Sequence, residues 1–364
     1  MNIAIIGAGL AGLSCALTLE KHGHSADVFE KHSDICFQYK LAELMTPILH
    51  RPIDDAVKFF SEKYDIHLKP TTNVQKIFVH SQSESAFVEG NLGFINMRGD
   101  HAEAYEKQLA EQLVNTKIHC NQNINYNEIS KEYTHVVVAT GDVMDTQQIQ
   151  PIEISLASTF AGAIVQGDFI PNEVHTWFDN RFAPKGMIYF LPHSKNQGTL
   201  VLVYPQYEEE MVKDKKTLWK ETLVQASQTL NQNLIIEEEF SLTDYIVGKS
   251  KYPRIGNTFF VGNCMGAITP FLGFGQSSSM LSGIYAAQDI CGLGDYEELS
   301  APLYKDYEDS LTLRRAIERL NNEQLDLVAK SLHVQTIENL ITKPNMSILK
   351  VLSHILNPFI RNTK

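Results

Sequence analysis

The most constraining feature of this chain lies in its first thirty residues. A short apolar strand runs into a glycine turn, a helix and a second strand that ends on an acid. Residues 1–6 read as a buried strand, followed by Gly7, Ala8, Gly9, Leu10, Ala11 and Gly12, a GxGxxG pattern with Ala16 four positions on. Leu10, Leu13, Leu17 and Leu19 carry a helix, and Ala26, Val28 and Phe29 a strand that ends at Glu30 and Lys31. Glycines let the backbone turn tightly and approach a pyrophosphate, and the helix N-terminus offers unpaired N–H groups to that anion. A carboxylate 18 residues past Gly12 can accept hydrogen bonds from a ribose diol. The pattern predicts a dinucleotide site on Gly7, Gly9, Leu10, Ala11, Gly12, Glu30 and Lys31.

A chain of 364 residues has room for about two domains, and 43% apolar content suffices for a real core. The net charge of −12 argues against general nucleic-acid binding. Five cysteines (Cys15, Cys36, Cys120, Cys264 and Cys291) are scattered without CxxC pairs, which fits a reducing compartment and argues against a zinc cluster; no metal site is expected. The N-terminus lacks the basic region of a signal peptide, so a cytoplasmic location is expected. Residues 255–288 contain no charged side chain, yet six glycines and Pro270 interrupt them, so no apolar helix of about 20 residues fits there. This segment reads as buried backbone around something large and neutral.

The pass along the chain predicts helices at 54–63, 101–114, 208–230 and 277–288, with helix again from 295 onward. Strands are expected at 118–124, 135–139, 235–242 and 258–261, with a strand pair across 74–90. Antiparallel sheet is expected over 159–204, including a hairpin pairing 187–191 with 199–204. The expected architecture is α/β, a Rossmann-type domain with an inserted antiparallel-sheet substrate domain and a helical C-terminus. The boundaries are 1–70, 93–147 and 245–295 for the nucleotide domain, 71–92 and 148–244 for the substrate domain, and 296–364 for the C-terminal helices.

Three apolar strands each run into a glycine, at Gly7, at Thr140–Gly141 and at Gly262. Ligands of doubly wound sheets bind at the C-terminal ends of strands. One NAD half-site does not need three such contacts so far apart in the chain, whereas a long cofactor such as FAD does. After Gly262 come Asn263, Pro270, Gly273, Phe274, Gly275 and Gln276. Gly273 and Gly275 would let backbone pass close to a flat ring, and the helix that follows would aim its positive end at it. A reduced flavin carries negative charge that such a helix end stabilises by roughly 0.3–2 kcal/mol.

These motifs resemble FAD-dependent oxidoreductases of the p-hydroxybenzoate-hydroxylase fold, and within them the geranylgeranyl reductase group. The resemblance rests on the N-terminal fingerprint, the Arg98 region and residues 262–287, which look like that family's GDAAG…P…GxG segment. It also rests on Trp177, Phe178, Asp179 and Asn180 through Ala183, Pro184, Gly186, Tyr189, Leu191, Pro192 and Gly198, which look like the family's middle block. It implies bound FAD, an FAD-contacting arginine at Arg98 and a ribityl contact at Asn263. It also implies hydride transfer from reduced flavin to an apolar, isoprenoid or lipid-like substrate, with NADPH, NADH or ferredoxin as donor. Asn263 stands where the family has Asp, so Asn263→Asp is expected to be tolerated. Thr140, Gly141 and Asp142 replace the Ala-Asp-Gly of the aromatic hydroxylases, and the halogenase WxWxIP block is missing. A flavin monooxygenase on the same fold, and a flavin- or ligand-binding protein without turnover, are the rival readings.

Catalytic side chains are not apparent, as expected if a flavin carries the chemistry. Tyr189, Leu191 and Pro270 are candidate substrate contacts; Tyr189 and Phe190 alternate, so one should face the substrate and the other the far side of the sheet. His193 reads as a solvated loop residue, while Cys36, His50 and Arg51 are weaker candidates near a substrate entrance. In the tail, Ile348, Leu349, Leu352, Ile355 and Leu356 share a helical face beside Lys343, Lys350, Arg361 and Lys364. That face suits a helix docked on its own domain or one in peripheral contact with a membrane.

Overall fold

The computed structural model describes residues 1–35, 40–47, 53–207 and 213–332. Cys36, His50, Arg51 and the tail candidates therefore lie outside the described residues. In chain order the elements begin with β1 (Ile3–Ile6), α1 (Leu10–Lys21), β2 (Asp27–Phe29), β3 (Leu41–Met45) and α2 (Ala56–Tyr64). There follow β4 (Thr72–His80), β5 (Ser85–Arg98), α3 (Tyr105–Ala110), β6 (Lys117–His119), α4 (Tyr126–Glu132) and β7 (His135–Val138). Then come β8 (Ile152–Gln166), β9 (Glu173–Trp177), β10 (Met187–Pro192), β11 (Gln197–Pro205), α5 (Lys215–Leu230) and β12 (Ile235–Ser250). The described chain closes with β13 (Arg254–Ile255), β14 (Thr258–Phe260), α6 (Gln276–Ile290), α7 (Tyr296–Ile317) and α8 (Asn322–Ser331).

The first sheet has the order β13-β14-β7-β1-β2-β6. Its strands are parallel except for the β13 edge. The order runs outward from β1 in both directions, so the switch point lies between β1 and β7, where such sheets bind ligands. Ile3, Ile5, Val137 and Phe259 are buried on one face with α1, α6 and α7, and Ala4, Ile6, Val136 and Phe260 on the other. Near-continuous apolar strands are what burial on both faces demands.

The second sheet has the order β12-β8-β11-β10-β9-β4-β5-β3. The expected hairpin is present, with Tyr189 opposite Val201 and Leu191 opposite Thr199. β3 was not foreseen. It pairs with β5 at one edge, yet the Ala42 N–H donates to Thr199 Oγ1 of β11 at 3.1 Å, so the sheet curls into a trough. Residues 41–45, 93–98 and 245–250 thus belong to the second sheet, whereas the sequence placed them with the nucleotide domain. The helix expected over 101–114 is confined to Tyr105–Ala110, and the strand expected over 118–124 to Lys117–His119. No helix among the described residues is long and apolar enough to cross a membrane.

Candidate functional site

The glycine turn at the end of β1 is shaped by close backbone approach. Gly7 has φ +111°, donates to the Phe29 carbonyl at 2.7 Å, and a Cβ there would sit 2.2 Å from the Ala139 carbonyl oxygen. A Cβ on Gly12 would sit 2.1 Å from the Gly7 carbonyl oxygen. Both glycines are therefore required by the chain itself. Gly9 is different: its φ of −85° suits any residue, and a Cβ there would meet no protein atom within 4 Å. Glycine here serves as the N-cap of α1 and leaves the space over the backbone open among the described residues.

Two described helices start without a side-chain cap or an acid in the first turn. These are α1, behind Gly9, and α6, behind Gly275. By contrast α2, α4, α5, α7 and α8 are capped by Asp55, Asn125, Asp214, Asp295 and Asn321. A helix start of this kind, with no acid of its own chain at it, favours an anion.

The other two glycine loops are built onto the first. A Cβ on Gly262 (φ +61°) would come 3.0 Å from the Ala11 Cβ, and the Gly262 N–H donates to Ser282 Oγ at 2.8 Å. A Cβ on Gly283 of α6 would lie 2.0 Å from the Ala11 carbonyl oxygen, so α6 presses directly on α1. Asn263 Nδ2 donates to the Gly141 carbonyl at 2.9 Å, and Thr140 Oγ1 lies 3.1 Å from Cys264 Sγ. The structure thus brings Gly7, Gly9, Ala11, Gly12, Thr140, Gly141, Gly262 and Asn263 together.

Glu30 is 8% exposed and folds into the first turn. Its Oε2 accepts from the Ala8 N–H at 3.1 Å; Oε1 accepts from the His32 N–H at 3.0 Å and pairs with His32 Nδ1 at 2.8 Å. Its carboxylate therefore holds the turn's shape as well as facing it. Lys31, on the adjoining bend, is exposed.

Arg98, the expected FAD contact, is held by two acids of the chain. Its Nε donates to Glu106 Oε1 at 2.6 Å and its Nη1 to Glu43 Oε2 at 2.7 Å. Burial works against its charge, but Glu106 and Glu43 outweigh that and hold the guanidinium protonated above its ordinary value. Glu43 also accepts from Gln276 Nε2 at 2.5 Å, and Gln276 Oε1 accepts from Asn96 Nδ2 at 2.9 Å. Arg98 thus ties β3, β5 and α3 to the start of α6. Glu43 and Asn96 were missed by the sequence reading. Asn96 could have been found, because it shares the strand face of Arg98 at a spacing of two.

On the trough side, Tyr189 and Leu191 pack with Phe271, Leu272 and Phe274 of the third loop and with Leu313 and Leu320 beyond it. Phe190 faces the other way and meets Phe169 at 4.7 Å. Burial, with the Glu43 carboxylate, raises the Tyr189 phenol above its ordinary range and keeps it protonated. Pro270 is buried at the head of this loop, and Gly273 (φ +74°) is exposed at its tip. Leu272 holds φ +63°, a strained position for a branched residue, braced by the Phe271 N–H donating to Ser310 Oγ at 2.8 Å. His193 is not a solvated loop residue. It is half-buried, its Nε2 has no partner among the described residues, and burial lowers its pKa to about 4.

The NAD(P)-binding Rossmann-like domain family matches residues 5–59. Solved structures match nearly the whole chain. A geranylgeranyl bacteriochlorophyll reductase-like protein from Thermoplasma acidophilum superposes with a TM-score of 0.68 at 14% identity, covering 99% of this chain and 96% of that one. A flavin-dependent brominase gives 0.69 at 14% identity and covers 100% of both chains. The chain has their fold. A halogenase mutant in complex with FAD shares it too, with a TM-score of 0.65 at 10% identity, covering 100% of this chain and 84% of that one.

Proposed function

We propose that this protein is an FAD-dependent oxidoreductase that reduces an apolar, isoprenoid- or lipid-like substrate. The observation that carries the cofactor is the convergence of three glycine loops, far apart in the chain, past the C-terminal ends of β1, β7 and β14, with open space over Gly9. A long dinucleotide fits this arrangement. The Gly7–Gly12 turn and the uncapped α1 would take the pyrophosphate, and Glu30 a ribose hydroxyl. Asn263 would meet the ribityl chain, and the N-terminus of α6 the pyrimidine edge of the ring. When bound, FAD supplies hydride transfer; the chain's own residues bind, orient and exclude water. Tyr189 and Leu191 pack with Phe271 and Phe274 of the third loop in one apolar cluster, which supports an apolar substrate.

The cofactor test is direct: purified protein should be yellow, and heat should release about one FAD per chain on chromatography. Apoprotein that refuses FAD but binds NAD tightly would overturn the reading. A flavin monooxygenase is the second reading, favoured by the brominase and halogenase among the structural matches. Turnover with a reduced donor under strictly anaerobic conditions separates the two, since a reductase continues and a monooxygenase stops. The donor, a nicotinamide nucleotide or a ferredoxin, is found from the same assay.

A further inference from the structure

One residue outside every motif reaches the proposed cofactor site. β12 is an exposed edge strand up to Asp244 and turns inward from Tyr245 onward. The change coincides with an irregularity in its pairing to β8: Leu242 lies opposite Phe160, but Tyr245, three residues on, lies opposite Ser158, two residues on. One extra residue is thus inserted, and Asp244 takes φ +58° to accommodate it. Such bulges re-aim side chains. Here the inserted residue changes which side chains of β12 face the core. The Tyr245 ring packs edge-on against Phe160 at 5.7 Å and against the cluster of Leu156, Val247 and Tyr307. Its hydroxyl oxygen accepts from Asn263 Nδ2 at 3.0 Å.

Asn263 has two N–H donors on one nitrogen. One goes to the Gly141 carbonyl at 2.9 Å and the other to Tyr245. A carbonyl only accepts, so the amide cannot be reversed without setting two oxygens against each other. With both donors engaged by the chain, the side chain can offer a ligand only its Oδ1. We infer that Tyr245 is a positioning residue that makes Asn263 an acceptor, so that it takes a ligand hydroxyl as a carboxylate would. This inference rests on the FAD reading, whose ribityl chain supplies such hydroxyls. It also accounts for Asn in place of Asp: the Gly141 carbonyl requires a donor that Asp lacks.

The experiment is a double-mutant cycle of Tyr245→Phe and Asn263→Ala, read by FAD titration of apoprotein, by the flavin midpoint potential and by apoprotein thermal stability. Tyr245→Phe keeps the ring, so the apoprotein should melt close to wild type. It should bind FAD about three- to tenfold more weakly, as expected for one lost hydrogen bond, and its flavin potential should shift. In the Asn263→Ala background the same change should have less than about a twofold effect. An equal effect in both backgrounds, or unchanged FAD affinity and potential in Tyr245→Phe, overturns the role of Tyr245 and leaves the cofactor reading standing. Wild-type apoprotein that takes up no FAD overturns both.

Discussion

Three glycines of one turn answer to different constraints, and substitution should separate them. Gly7→Ala and Gly12→Ala should unfold or strongly destabilise the protein, because each Cβ would collide with backbone oxygen at 2.2 and 2.1 Å. Gly9→Val should leave apoprotein stability within about 1 kcal/mol of wild type, the cost of a poorer cap, while abolishing dinucleotide binding. Thermal melts with and without cofactor check all three. Glu30→Ala should do two things, since the carboxylate accepts the Ala8 and His32 N–H groups. It should cost about 1–3 kcal/mol of apoprotein stability through the unpaired donors, and it should weaken FAD binding about ten- to a hundredfold. Urea unfolding and FAD titration of the same preparation report the two effects. Unchanged affinity in a folded variant would count against the ribose role. Asn263→Asp is no longer expected to be well tolerated: it sets a carboxylate oxygen against the Gly141 carbonyl at the 2.9 Å contact.

Between elements, two contacts hold the site together. Gly283 lets α6 touch the backbone of α1, and Gly283→Ala would force the helices apart at a 2.0 Å contact. Overpacking of this kind costs about 1–3 kcal/mol or more, and since both uncapped helix starts move, cofactor affinity should fall with the melting temperature. Arg98 joins Glu43 of β3 to Glu106 of α3, and Arg98→Met strands two acids; the loss should sit at the lower end of about 3–5 kcal/mol. Arg98→Lys should recover only part of it, because an ammonium lacks the fork that spans both carboxylates. The elements that the sequence revealed are those with their own punctuation: β1, β7 and β14 end in glycine, and β10 and β11 flank a polar turn. β3 was hidden because Leu41–Met45 shows no alternation, and part of its pairing is to β11 across the curled sheet. β5 was expected to stop near Gly90, yet Gly90 (φ +149°) and Gly93 (φ +127°) are kinks inside the strand. A Cβ on Gly93 would lie 2.4 Å from the Met45 carbonyl oxygen, so this glycine admits the unseen strand. Glu43 and Tyr245 were invisible for the same reason, since an inserted strand and a bulge bring them to the site.

At the scale of the molecule, half-buried histidines contribute to the response to acid. His80 Nε2 lies 3.0 Å from His175 Nδ1 in a stack with Phe78 and Trp177. Burial lowers His80 to about 4; burial and then His80 lower His175 to about 3. In the unfolded chain a histidine takes up its proton near pH 6.5. Between about pH 6.5 and 4 the unfolded state therefore binds protons that the folded state refuses. Stability should be full above this window and fall as pH drops through it, by up to about 1.4 kcal/mol per pH unit for each histidine. Urea unfolding at pH 7.5 and pH 5 measures the difference, and a gain in stability at pH 5 would sink the account. His193→Leu should remove one share of the slope. The split origin of the first sheet has a further consequence during synthesis. β14 and α6 begin at Thr258 and Gln276, yet they lie against β7 and α1. At about 5–20 residues per second, roughly 10–50 s pass between the emergence of the first glycine turn from the ribosome and the arrival of its last neighbour. Throughout that interval the nascent β1–α1–β2 unit waits with an apolar flank uncovered. Its grip on a dinucleotide stays partial until the loops after β7 and β14 have been translated.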